Sequence, residues 1–353
     1  FGVDTVRAVS GRGDEETVAA LEELLAHGLI REHALDYDFG HEQLRALVYE
    51  ETSLARRRLL HGRAAGALGG PAAAVARHLR LAGRDEAAAR EYVRAAQHAR
   101  ALFANAEALE HLRAALALGH PDTAELHTAI GDLETLRGDY RAARGSYETA
   151  AAHDWSPAIE HRLGQVHHRR GEWPLAERHF RAALDATTDP AARARIVADL
   201  SLTAHDGGDG ERAAALGADA LELAEEAGDP RALGQAHNLL GMLEGSLDHL
   251  ARSLDLAEQV GDPQGRMAAL NNLALVHREQ GELDRALELT DHALALCTEL
   301  GDRHREAALR NNRADLLHAA GRHDEAMDEL KRAVTIFAEI GAERPEVWKL
   351  ARW

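Results

Sequence analysis

One cysteine, Cys297, stands in 353 residues, which excludes a disulfide framework and any zinc site built on cysteine. Aromatic side chains make up only 4% of the chain against 45% hydrophobic residues. Alanine and leucine must then carry the core, which suits helices that pack closely and disfavours a β protein. Only Lys331 and Lys349 represent lysine, and the formal charge is −18, so the chain lacks the concentrated basic surface that binding nucleic acid requires. No apolar run approaches membrane-spanning length, and the opening FGVDTVRAVS has none of the marks of a secretion signal. A Gly-x-x-x-x-Gly-Lys loop is missing, so no phosphate-cradling loop is encoded. Histidine is abundant at 22 residues, densest at His161, His167 and His168. No His-Glu-x-x-His occurs, however, and these imidazoles read as structural rather than as a metal site. With no Ser-His-Asp or Cys-His arrangement either, neither catalysis nor a cofactor is expected. From the missing initiator Met the expectation is an excised part of a longer protein, with a complete protein as the alternative.

What is present is a repeat. Residues 263–301 read as two amphipathic helices: Leu270, Leu273, Ala274 and His277 recur at helical spacing, Gly281 breaks the helix, and Ala286, Leu289, Ala293 and Leu294 form the face of the next. The same offsets return around other glycines. Gly321 has Ala314, Ala326 and Ala333; Gly171 has Gly164, Ala176 and Ala183, with Trp173 and Phe180; Gly138 has Gly131, Ala143 and Ala150, with Tyr140 and Tyr147; Gly208 has Ser201, Ala213 and Ala220. A small residue on a first (A) helix, a glycine turn and two alanines seven apart on a second (B) helix is the tetratricopeptide pattern. Hairpins are expected at about 121–152, 157–187, 190–227, 230–260, 263–300 and 303–340. Pro71, Pro121, Pro157, Pro190, Pro230 and Pro263 each open an A helix, and Pro174 opens a B helix, places where proline costs no hydrogen bond. The 230–260 hairpin is short, with its A helix predicted to stop early at Gly245 and to leave a notch.

Residues 1–69 do not fit the repeat. Helices are expected at 3–9 and from Asp14 to about His27, with Val18, Leu21, Leu24 and Leu25 on one face. Two short strands follow, Leu29–Glu32 and Ala34–Phe39. A helix from His41 to Tyr49 is read with Leu44, Leu47 and Val48 inward, and Ser53 caps the next. Helices followed by a small hairpin suggest a winged-helix-like unit. The fold class is therefore all-α: a right-handed tetratricopeptide-like α-solenoid over 70–341, preceded by this unit over 1–69 and followed by a tail, 342–353.

The segments EETVAALEELLAHGLI and YDFGHEQLRALVYEETSLARRRLLHGRAAGAL, followed by ALFANAEALEHLRAALAL, the repeats and the tail RPEVWKLARW, resemble the junction in STAND-type signal-transducing ATPases. In that family a nucleotide-binding module precedes a winged helix and a tetratricopeptide sensor arm, as in large maltose-type and LuxR-type transcriptional regulators. The resemblance implies a cytoplasmic regulatory arm, and it implies that His41, which opens a winged-helix helix, approaches the nucleotide-binding module of the parent protein. The residues alone allow His41 to cap or pack the helix start instead.

The A helices of such a stack line its concave wall, which in repeat proteins holds peptides or protein segments. Asn271 and Asn272 recur forty residues later as Asn311 and Asn312, and Gln235, Asn238 and Arg310 lie on related turns. Asparagine both donates to and accepts from a peptide backbone; bonding to the neighbouring helix is the alternative use. The groove lacks the repeated lysines that clamp a free peptide carboxylate, so capture of a chain terminus is not expected, with Arg162, Arg169, Arg310 and Arg313 as weak substitutes. The expected function is a non-catalytic sensor arm binding a protein or peptide segment, with no direct contact to nucleic acid or membrane. The alternatives are a free-standing scaffold for protein assembly, or a small-molecule or peptide-pheromone receptor using the notch near Gly245.

Overall fold

The computed structural model describes residues 1–34 and 36–340; the expected tail, 342–353, lies outside the described residues. The chain divides into two compact units, Phe1–Thr123 and a second beginning at Ala124. The first holds α1 (Val3–Ser10), α2 (Asp14–Ala26), the strands β1 (Ile30–His33) and β2 (Asp36–Phe39), α3 (Glu42–Glu51), α4 (Leu54–Ala67), α5 (Ala72–Leu81), α6 (Asp85–Ala101) and α7 (Asn105–Ala117). The strands pair antiparallel with Ile30 opposite Phe39. Ser53 caps α4 by accepting the Arg56 N–H at 3.4 Å. Helix α6 packs on both α5 and α7, so one helix serves two hairpins.

The small N-terminal elements are less buried than their periodicity suggests. On α2 only Thr17 and Leu21 are buried, while Val18 and Leu24 face solvent. On α3, Leu47 and Val48 are 51% and 56% exposed, against the expectation that they point inward. The reason is that the contacts of α3 among the described residues run through strand β2 and, at Tyr49, through His61 and Arg57 of α4, which leaves more than half of Leu47 and of Val48 uncovered.

The second unit is a stack of helical hairpins: α8 (Thr123–Leu136) with α9 (Tyr140–His153), α10 (Pro157–Arg169) with α11 (Trp173–Ala186), α12 (Pro190–Asp206) with α13 (Gly210–Ala227), α14 (Pro230–Glu244) with α15 (Leu247–Gln259), α16 (Pro263–Glu279) with α17 (Leu283–Leu300), and α18 (Arg303–Ala319) with α19 (His323–Glu339). The paired alanines of the B helices are the most deeply buried positions: Ala143, Ala150, Ala176, Ala183, Ala213, Ala220, Ala286, Ala293, Ala326 and Ala333 have essentially no exposure. Where a glycine stands seven residues before the turn glycine, an aromatic ring of the B helix explains it. A Cβ added to Gly131 would meet the Tyr147 ring at 2.6 Å, and one added to Gly164 would meet the Phe180 ring at 2.5 Å. Where no B-helix ring occupies this place, in α12 and α13, Ser201 donates to the Ala213 carbonyl at 2.6 Å, and Gly217 leaves room for Leu240 and Leu243 of the next hairpin. The shortened repeat is trimmed mainly on its second helix: α14 has 15 residues against 17 in α12, but α15 has 13 against 18 in α13. The notch therefore belongs to the B-helix side.

Successive A helices also touch one another directly, α10 on α12, α12 on α14 and α14 on α16, which places them on the inner side of the stack's curvature. The ends of this unit meet as well: Ile340 lies against Gly138, whose added Cβ would fall 2.6 Å from its side chain, and Arg169 pairs with Asp302 across 133 residues.

Adding one methyl at Gly164 should show what the small positions do. Gly164→Ala is expected to destabilise by about 1–3 kcal/mol through the Phe180 clash, even though alanine is the better helix former by about 1 kcal/mol. Phe180→Leu in the same chain should recover part of the loss. Urea unfolding of the three variants measures this, and a net gain in the single alanine variant would show that helix propensity governs instead.

Acid should loosen the fold. Burial, the leading cause in each case, holds His61, His78, His127, His167, His168 and His237 below the usual imidazole range and pushes His304 down to about 4. The unfolded chain thus takes up protons first, so the stability these groups contribute is complete above a pH of roughly 6.5 and is lost as pH falls below it toward the folded values. Melting temperature is expected to fall steadily from pH 7 to pH 5; a rise over that interval would contradict the assignment.

Candidate functional site

Aligning the hairpins on their turn glycines isolates one repeat position. Nine residues before Gly171, Gly208, Gly281 and Gly321 stand Arg162, Asp199, Asn272 and Asn312. Each sits on an A helix, half-buried or nearly so, and each bonds to the preceding A helix. Arg162 Nε donates to Asp132 of α8 at 2.8 Å. Asp199 takes hydrogen bonds from His161 Nε2 at 2.7 Å and Gln165 Nε2 at 2.9 Å, both on α10, and from Gln235 Nε2 of α14 at 2.7 Å. Asn272 Nδ2 donates to Asn238 of α14 at 3.1 Å, and Asn312 Nδ2 donates to Asn271 of α16 at 3.0 Å. Because Asn271 donates in turn to Asn272 at 3.2 Å, the four asparagines form one chain, Asn312 to Asn271 to Asn272 to Asn238, across three A helices.

The physical consequence is a polar stairway along the A-helix face. Burial raises the Asp199 carboxyl pKa, but the hydrogen bonds from His161 and Gln165 and the nearby imidazoles outweigh it and hold the group below the usual carboxylate range. Asp199 is therefore ionised and fully engaged. The asparagines differ. A primary amide has two N–H donors and two acceptor lone pairs; Asn271 and Asn272 each commit one of each to the chain and keep the other N–H and the other lone pair. The chain also fixes which way each amide points, so the remaining groups are held rather than free to rotate.

The other sequence-derived positions fall in separate places. Arg310 is tied down, donating through Nε and Nη2 to Glu306 at 3.0 and 2.9 Å and through Nη1 to Glu329 at 2.9 Å. Asn311 lies partly exposed beside Asn312. Arg162, Arg169 and Arg313 are likewise occupied by Asp132, Asp302 and Asp291, leaving none of the four arginines without a carboxylate partner. His41 belongs to the first unit, where it precedes α3 with its side chain exposed and making no capping bond. His161, His167 and His168 contact Asp199, Glu172 and Thr203 respectively, three separate engagements rather than one ligand set. Asp199 and Gln165 escaped the sequence reading, which followed the repeated asparagines; for Asp199 the shared nine-residue offset from the turn glycine was the available signal.

A second concavity lies where α15 is shortened. A depression of about 330 Å³ opens between α15 and α17 over α16, lined by Leu254, Leu273 and Leu289 with Asp248, Asp255 and Arg285. It begins just past Gly245 and sits on the B-helix side, apart from the asparagine chain.

Comparison with known proteins follows the repeats. The tetratricopeptide repeat family matches residues 230–289 and 265–339, and a second tetratricopeptide repeat description matches 158–194. No curated protein matches the chain in sequence. Among solved structures, a Rap protein complexed with competence and sporulation factor superposes with a TM-score of 0.58 at 13% identity, covering 96% of each chain. The Rap conjugation gene regulator of plasmid pLS20, in complex with a Phr peptide, superposes with a TM-score of 0.58 at 16% identity, covering 99% of this chain and 96% of that one. A STAND protein with a tetratricopeptide repeat sensor from Pyrococcus horikoshii gives a TM-score of 0.46 at 15% identity; the match covers 97% of this chain and 48% of that one, about half its length. The chain has an all-α, tetratricopeptide-like solenoid fold with a small two-stranded sheet near its start.

Proposed function

We propose that the solenoid is a non-catalytic binding module whose A-helix face takes an extended polypeptide segment. The observation that carries this reading is the asparagine chain: amides fixed in orientation, each with a donor and an acceptor still available, at intervals along one face. An extended backbone presents the same alternation of N–H and C=O. The two Rap structures of similar fold are described with a peptide and a sporulation factor, which agrees with this choice.

The finer reading is that the chain is the sensor arm of a larger cytoplasmic STAND-type ATPase or transcriptional regulator, with residues 1–69 acting as a winged-helix-like unit. Its support is the apolar surface of α3 and α4: Leu47, Val48, Leu54 and Leu59 are all more than half exposed, as expected of a face that a nucleotide-binding module covers. His41 at the start of α3 would lie at the edge of that contact. A signal bound to the solenoid would act by favouring one of two packings of that module, which requires different affinity for the two states. Among the described residues no helix is long and apolar enough to cross a membrane. The depression between α15 and α17 supports a second reading, a small-molecule site at the lower end of the usual size range of roughly 300–1,000 Å³.

Selection from a displayed library of linear peptides against the full chain tests the main reading. Selected peptides should bind about ten-fold or more weakly to Asn271→Ala/Asn272→Ala, from the loss of hydrogen bonds each contributing about 1 kcal/mol. Equal binding to both proteins would remove the asparagine chain from the site. Purified protein should hydrolyse no ATP; turnover that tracks the protein through purification would end the non-catalytic assignment.

A further inference from the structure

The seam where the two ends of the second unit meet carries more positive charge than its carboxylate balances. Arg169, at the end of α10, donates through Nη1 and Nη2 to both oxygens of Asp302 at 3.3–3.4 Å. Asp302 is only 1% exposed and already caps α18, accepting the Arg305 N–H at 3.1 Å. The Arg305 guanidinium also turns toward it, Nε lying 3.8 Å from Oδ2. Two guanidinium groups thus share one carboxylate that is also committed to a helix terminus. Glu306, the next acid along α18, is taken by Arg303 at 2.8 Å and Arg310 at 2.9 Å.

Donors at this seam are left over. Tyr140, the first residue of α9, packs its ring edge-on to His304 at 5.7 Å, and His304 packs edge-on to Phe337 at 6.0 Å. Among the described residues His304 Nδ1 and Arg305 Nη1 are each shut away from solvent without a protein partner, and the buried Tyr140 hydroxyl faces the Arg169 guanidinium, itself a donor. Buried polar groups are normally satisfied, and each that is not costs free energy. Two such groups and a phenol facing a donor, in one charged cluster, point to a missing acceptor. The titration behaviour agrees: burial first and the Arg169 charge second hold the His304 imidazole low, and the same two causes pull the Arg305 guanidinium below its ordinary value.

We infer that Tyr140, Arg169, His304 and Arg305 form a binding site for a phosphate-type oxyanion at this seam. Two guanidiniums, a phenol and an imidazole in the tautomer that carries its proton on Nδ1 offer more donors than the two oxygens of a carboxylate accommodate, whereas a phosphate group presents three or four oxygens to be shared. The residues come from both ends of the unit, so a bound anion neutralises the Arg169–Arg305 repulsion and ties α9 and α10 to α18. The site uses none of the asparagine chain, and its test needs no peptide.

The test is thermal unfolding of the full chain in inorganic phosphate against sodium chloride of matched ionic strength, at pH 7.5. Wild type should gain roughly 2–4 °C, saturably. Arg305→Gln should lose the phosphate response and, in phosphate-free buffer, melt no lower than wild type, because it removes a like charge facing Arg169. Tyr140→Phe should raise the half-saturating phosphate concentration several-fold. Glycerol phosphate run in parallel separates the sources: a lower half-saturation than inorganic phosphate assigns the site to an esterified phosphate, a higher one to the free ion. A wild-type response no larger than in chloride, a response retained by Arg305→Gln, or an Arg305→Gln chain less stable than wild type without phosphate would each overturn the assignment, the last by making Arg305 a structural partner of Asp302.

Discussion

The contact on which the second unit depends is that between a small residue on each A helix and whatever its B helix sets against it. At Gly131 and Gly164 that is an aromatic ring lying where a Cβ would be. Ala274 and Ala314 occupy the same offset from their turn glycines, and both are buried. Close approach of the two backbones lets a chain with few aromatics exclude water, because an interior of alanine is effective only where the helices are near enough to leave no voids. The turn glycines follow from the same constraint: Gly138, Gly171, Gly208, Gly245, Gly281 and Gly321 all adopt positive φ, which reverses the chain within a few residues so that the helices leave already side by side.

Once the hairpins are fixed at that spacing, their A helices are brought against each other, and the stairway of polar contacts is the result. Arg162, Asp199, Asn272 and Asn312 hold one position in the repeat and do one structural task, bonding to the A helix before them. They differ in what is left afterwards. Arg162 is ion-paired with Asp132 and Asp199 is taken up by three hydrogen bonds, whereas the amides retain capacity on both their donor and acceptor sides. Structural bonding and a surface suited to a ligand are compatible here, and the two uses of asparagine that the sequence left open need not exclude each other.

Charge follows a different logic. In a chain of net charge −18 the arginines of the solenoid are mostly placed against carboxylates within or between hairpins. Arg310 and Arg313 share Glu329, and Arg162 meets Asp132. A groove so balanced has little to offer a free carboxylate, which favours recognition through backbone hydrogen bonds. The seam at Asp302 departs from this economy, since Arg169 and Arg305 meet there with a single acid between them.

Hairpin boundaries, turn glycines, helix-opening prolines and the alanine faces could all be read directly, because each is a local property: a residue seven or nine places from a glycine has its orientation set by helical geometry alone. The burial of α3 could not be read so, since a periodic apolar stripe says that a helix has a face and not that the unit supplies something to cover it. Leu47 and Val48 have the right spacing, yet more than half of each stays uncovered. Shortening of the 230–260 hairpin was visible as a count of residues, but which helix lost them depended on where Gly245 settled. Sequence by itself determined the repeat, its register and its all-α class, since these rest on short-range steric rules. Only the tertiary structure decided that Asp199 joins three helices, that the asparagines bond to one another, and that Arg169 reaches Asp302 across 133 residues, because contacts between distant segments depend on the accumulated rotation of every hairpin between them.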